Sequence, residues 1–155
     1  AQEHQAGASS PTRGLIAGGN PSTANAIQFI TIASTGDAQD FGDLQGLGDV
    51  MMGGGMASPI RAIFAGNYTT IIESVEIAST GNSKDFGDMT TSRGCPHSNT
   101  DSIRGVISGG YTPGSTNSME YIQIMTEGNG VDFGDLVAAT ANGFDTVSTA
   151  HGGLG

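Results

Sequence analysis

Tryptophan is absent from this chain, cysteine occurs once, and lysine and arginine together number 5 of 155 residues. Each shortage excludes something. The single Cys95 cannot close an intramolecular disulfide, which removes the disulfide-stapled secreted scaffold. Five basic residues against 15 acidic ones leave a net charge of -10, the wrong sign for a nucleic-acid or anionic-membrane partner. No stretch approaches the roughly 18 apolar residues of a membrane span. The opening AQEHQAGASS has neither the basic start nor the apolar core of a signal peptide. It also begins at Ala1, so the chain is expected to be processed or a piece of something longer.

In place of these residues stand 26 glycines and many serines and threonines. That composition suits short strands joined by tight turns and offers little material for helices. The dominant feature is a repeat. The segments IQFITIASTGDAQDFGD (Ile27 to Asp43), IESVEIASTGNSKDFGD (Ile72 to Asp88) and MEYIQIMTEGNGVDFGD (Met119 to Asp135) align without a gap. Each is preceded by a second element, RGLIAGG from Arg13, RAIFAGN from Arg61 and RGVISGG from Arg104. The spacing is 45 residues from Phe41 to Phe86, 47 from Phe86 to Phe133, 48 from Arg13 to Arg61 and 43 from Arg61 to Arg104. A period in this range marks one supersecondary unit repeated in space. The units run 13–60, 61–103 and 104–150, with partial repeats at 1–12 and 151–155. The terminal overlap suits closure of a ring, the last segment completing the sheet begun by the first.

Within a unit, a short apolar run such as Leu15-Ile16-Ala17 ends at Gly-Gly or Gly-Asn and reads as a buried strand with a turn. A β-rich run from Ile27, Ile72 or Met119 follows, then a turn at Gly36, Gly81 or Gly128, then a third strand carrying the DFGD. The segments 45–59, 90–103 and 137–150 have room for one weaker strand, and Gly53-Gly54-Gly55 reads as a flexible connection.

The recurring residues set the structural expectations. Phe41, Phe86 and Phe133 should be buried fillers between units, since no other large aromatic persists in all three copies. Arg13, Arg61 and Arg104 recur in phase with Asp43, Asp88 and Asp135, which points to bidentate ion pairs linking units. Chemistry is sparse. DFGD shares three letters with the metal-binding segment of protein kinases, but no kinase lobe recurs at this period. Asp37, Asp40 and Asp43 carry calcium-type oxygen donors, yet the other copies keep no consistent ligand count. His4, His97 and His151 lack zinc-ligand spacing. Cys95-Pro96-His97 is the one nucleophile-and-base coincidence, and it reads as a surface turn. No catalytic set, metal or cofactor is therefore expected, and the protein is not expected to be an enzyme.

The order Arg-Gly, apolar strand, Gly-Gly, variable loop, apolar-Glu-aromatic strand, Thr-Gly turn, aromatic then Leu resembles the kelch repeat across essentially the whole chain. The phrase TRGLIAGG…AIQFITIASTGDAQDFGDL is similar to the kelch-like repeats in structural and tail-fibre-type proteins of marine tailed bacteriophages, cyanophages among them. Phenylalanine stands where ordinary kelch units carry tryptophan. The resemblance implies an all-β fold of propeller-type blades. Propellers take roughly four to eight blades, so three would be completed by oligomerisation. A pseudo-threefold β-prism or β-trefoil is the alternative. It also implies a virion component, a structural or appendage protein whose partners are other copies of itself or other virion proteins. The second functional reading is a lectin-like module for a host surface glycan, with Asn20, Tyr68 and Tyr111 as binding-loop positions just past the strand-end glycines.

Overall fold

The computed structural model describes residues 4–19, 25–47, 52–141 and 146–148, and every regular element among them is a β-strand. Three antiparallel sheets follow one another along the chain. Sheet 1 holds β1 (Ala6–Ser9), β2 (Arg13–Ala17), β3 (Ala26–Thr31) and β4 (Gln39–Asp43) in sequential order. Sheet 2 repeats this with β5 (Met52–Ala57), β6 (Arg61–Gly66), β7 (Thr69–Glu76) and β8 (Lys84–Arg93). Sheet 3 has β9 (His97–Thr100), β10 (Arg104–Ser108), β12 (Gly114–Gln123) and β13 (Val131–Thr140) in the same roles. The two-residue β11 (Tyr111–Thr112) folds back on β12, and β14 (Thr146–Ser148) lies parallel to β9.

The strands before the arginines, β1, β5 and β9, lie in 1–12, 45–59 and 90–103. Gly53-Gly54-Gly55 is therefore strand rather than flexible connection, and all three residues are buried. The reason is steric: a Cβ on Gly55 would collide with the Gly7 carbonyl of β1, so glycine is what lets the first strands of neighbouring sheets touch. The DFGD strand is accordingly the fourth of each sheet, and each sheet begins one strand ahead of the arginine that opens a sequence unit.

Local chemistry sets each turn. Ser10, Ser58 and Asp101 stand three residues before Arg13, Arg61 and Arg104, and each side chain accepts the arginine backbone N–H at 3.1, 3.0 and 2.7 Å. These are side-chain-capped turns of the kind that serine and aspartate favour. In all three sheets the ladder slips by one residue at the DFGD. Ile27, Ile72 and Met119 face Gly42, Gly87 and Gly134, while the next residue pairs beyond the phenylalanine. Each phenylalanine thus sits in a β-bulge beside a glycine at φ 146°, 147° or 124°, a device that re-aims a side chain.

The sheets pack face to face. One core cluster joins sheets 1 and 2, with Leu15, Phe29 and Phe41 against Ala62, Phe64 and Val75. A second joins sheets 2 and 3, with Ile63, Phe86 and Met89 against Ile107, Ile122 and Ile124. Sheet 2 is covered on both faces, and its β6 is buried from Ala62 to Gly66.

Candidate assembly interface

The two sheet-to-sheet contacts are built from the same atoms. At the first, the Gly81 N–H donates to the Phe41 carbonyl at 2.7 Å and the Ser83 N–H to the Asp43 carbonyl at 2.9 Å. The Asp43 N–H in turn donates to Asn82 Oδ1 at 3.0 Å. At the second, Gly128 donates to Phe86 and Gly130 to Asp88, both at 2.8 Å, and the Asp88 N–H donates to Asn129 Oδ1 at 3.0 Å. The turn glycine of one unit therefore sits on the DFGD of the unit before it. A Cβ on Gly42 or Gly87 would strike the Gly81 or Gly128 carbonyl, so the DFGD glycine is required by close approach as well as by φ.

The repeated arginines bridge the same contacts, but not as expected. Arg13 Nη1 donates to the Ile77 carbonyl at 2.8 Å, and Arg61 Nη1 to the Ile124 carbonyl at 3.1 Å. Their partners are backbone oxygens of the next sheet, not the DFGD carboxylates. Arg61 also makes an ion pair, with Glu76 at 3.3 Å. Arg104 lies over the Tyr121 ring at 4.5 Å, as Arg13 lies over Phe29 at 4.6 Å. The ion-pair expectation fails at Arg13 and Arg61 because their guanidinium groups reach carbonyls of the next sheet instead. The Asp43 and Asp88 main chains hold the next turn, and the Asp88 carboxylate accepts the Thr70 hydroxyl at 2.8 Å. Asp135 is exposed.

Phe41 and Phe86 are each 2% exposed, whereas Phe133 is 48% exposed, which corrects the expectation that all three are buried. The phase of the repeat is intact, since Phe133 occupies the same bulge. What differs is the neighbour: among the described residues no sheet covers this face of sheet 3. Tyr121 and Phe133 form an edge-to-face pair at 6.1 Å, matching Phe29 and Phe41 at 5.9 Å. Gly134, unlike Gly42 and Gly87, has nothing near the place of a Cβ.

Two buried carboxylates strengthen the contacts, and the sequence reading missed both. Glu73 accepts the N–H groups of Gln45, Gly46 and Leu47 at 3.0, 2.8 and 2.9 Å and the Ser83 hydroxyl at 2.9 Å. Glu120, its equivalent, accepts the Thr90 N–H at 2.7 Å and pairs with Arg93 at 2.7 Å, both side chains being fully buried. The recurring signal was present in Gln28, Glu73 and Glu120, each one residue after the aligned apolar position. Arg93 has no counterpart in the repeat.

Of the binding-loop positions, Asn20 lies outside the described residues. Tyr68 and Tyr111 come together edge to face at 6.1 Å, both exposed, lining an open depression of about 470 Å³ with Ser92, Thr112 and Pro113. Tyr68 sits at φ 55° in the β6–β7 turn with its ring against Gly94. Cys95 is buried rather than on a surface turn, and burial raises its thiol pKa, the wrong direction for a nucleophile. His97 begins β9, and His151 lies outside the described residues. No cluster of three or more His, Cys, Asp or Glu side chains among the described residues could hold a metal ion. Compared with known proteins, no family model matches the chain and no curated protein matches it.

Proposed function

We propose that this protein is a non-enzymatic structural module of a phage particle, an appendage or tail-fibre-like component built from kelch-like sheets. One observation carries the reading: sheet-to-sheet contacts repeat atom for atom, and the third copy of the same surface stands uncovered among the described residues. A module whose terminal face repeats its internal one is suited to continuation by assembly. Face-to-face stacking of sequential four-stranded meanders, with their first strands clustered, favours propeller-type blades over a prism or trefoil. The negative charge fits a particle surface that has to stay clear of packaged nucleic acid. Protein analysis of purified particles of the phage that encodes it tests the proposal. The protein should co-purify with particles through a density gradient, and its absence from them would overturn the reading.

The Tyr68–Tyr111 pair favours a second reading, contact with a surface glycan, because paired exposed rings with nearby hydroxyls suit a sugar's apolar face and hydroxyl edge. Glycan-array binding that is lost in Tyr111→Ala would support it, and equal binding by the variant would remove it.

A further inference from the structure

We infer that the uncovered face of sheet 3 is a docking surface for sheet 1 of a second copy of this chain, in the register already used twice inside the molecule. The inference rests on the assembly reading above and adds the partner and its contacts.

The argument is one of equivalence. Sheets 2 and 3 each present an edge to the sheet before them: the carbonyl of Ile77 or Ile124, the turn N–H of Gly81 or Gly128, and the accepting side chain of Asn82 or Asn129 one residue after that glycine. The matching atoms of sheet 1 are the Ile32 carbonyl, the Gly36 N–H and the side chain of Asp37. Ile32 is 54% exposed and Ala38 is exposed, whereas their counterparts Ile77 and Ser83 are buried. Sheets 1 and 2 offer the complementary side through an arginine, the DFGD main chain and a bulged phenylalanine. Sheet 3 carries all three, in Arg104, Phe133 and Asp135. Docking therefore puts Arg104 on the partner copy's Ile32 carbonyl, as Arg13 sits on Ile77 and Arg61 on Ile124. The Gly36 N–H donates to the Phe133 carbonyl, and Ala38 takes the place of Ser83 and Gly130 over Asp135.

The apolar surfaces match as well. Exposed Ile30 and Ile32, at 41% and 54%, stand where buried Val75 and Ile77 meet Phe41 in the internal contact. Exposed Phe133 supplies the ring they lack. These contacts use β3 and the turn after it on one copy and β10 and β13 on the other, so they do not depend on whether β14 or the partner's β1, equivalent strands of the repeat, holds the inner place beside β9. The contact is head to tail, and such an interface closes into a ring or extends as an array.

Two exposed positions test it: Phe133→Asp disables the tail face and Ile32→Asp the head face. Light scattering after size exclusion should give wild type a mass at least twice 15.6 kDa. Each variant alone should be monomeric, and an equimolar mixture should recover a dimer through the one intact head and tail. Circular dichroism melting checks that both variants fold, and Arg104→Glu with Ile30→Asp serves as a second pair should either fail to fold. A monomeric wild type, or an Ile32→Asp variant that self-associates as well as wild type, overturns the inference. Neither result decides whether the protein co-purifies with particles, so the two proposals fail separately.

Discussion

Replacing Arg93 with methionine tests how sheets 2 and 3 are held together. The guanidinium is fully buried and makes five hydrogen bonds: Nε to the Thr91 carbonyl, Nη1 to the carbonyls of Gly109 and Ser118, and Nη2 to Ser118 Oγ and Glu120 Oε1. Burial pulls its pKa down and the Glu120 carboxylate opposes that pull. Methionine keeps much of the volume but leaves Glu120 charged in a dry contact with the Thr90 N–H as its remaining bond. Breaking a buried pair from one side costs about 3–5 kcal/mol. For a chain of this size that lowers Tm by roughly 6–20 °C. Methionine at 93 together with Glu120→Gln should recover much of the loss, because the uncompensated charge is gone. Urea and thermal unfolding followed by circular dichroism give both numbers. A single Arg93→Met variant within about 1 kcal/mol of wild type would refute the reasoning.

Phe86→Ala should cost about 3–5 kcal/mol in urea unfolding, while Phe133→Ala in dilute solution should cost about 1 kcal/mol or less, since only the first ring is enclosed. The N–H groups of Arg104 and Ile103 hold the Asp101 carboxyl below its ordinary value of 3.8. A depressed folded-state pKa adds stability that is present above pH 3.8 and lost as the pH falls through the folded value, so the gap between wild type and Asp101→Asn should be widest near neutrality and shrink in acid. The Cys95 thiol, buried and raised in pKa, should resist a thiol reagent in native buffer and react on unfolding. Rapid native labelling would contradict that placement.

The period and the all-β character were legible because strands keep register while loops absorb length changes. Ile72 to Asp88 aligns with both other copies without a gap, and each copy became the same pair of strands. The first strand of sheets 2 and 3 was legible only as room for one weaker strand in 45–59 and 90–103. Met52–Ala57 is half glycine, and glycine there signals close backbone approach to β1, which reads locally as a linker. The arginine partners were missed for a related reason: co-recurrence of Arg61 and Asp88 shows that both belong to the repeat, but a carbonyl acceptor leaves no side-chain signature. Arg93 and Glu120 meet across two sheets, a pairing that only tertiary structure creates. Phe133 shows the opposite limit, since its sequence context matches Phe86 while its burial depends on a neighbour beyond sheet 3.

Amide hydrogen exchange at the three equivalent turn glycines tests the central claim most directly, that one contact recurs and its next copy is made between molecules. Gly81 and Gly128 donate to carbonyls of the preceding sheet at 2.7 and 2.8 Å, and their amides should exchange slowly at every protein concentration. The Gly36 amide should exchange quickly in dilute solution and slow to match them as concentration rises. Equal protection of all three in dilute monomer, or a Gly36 amide that stays fast in the associated species, would contradict the account.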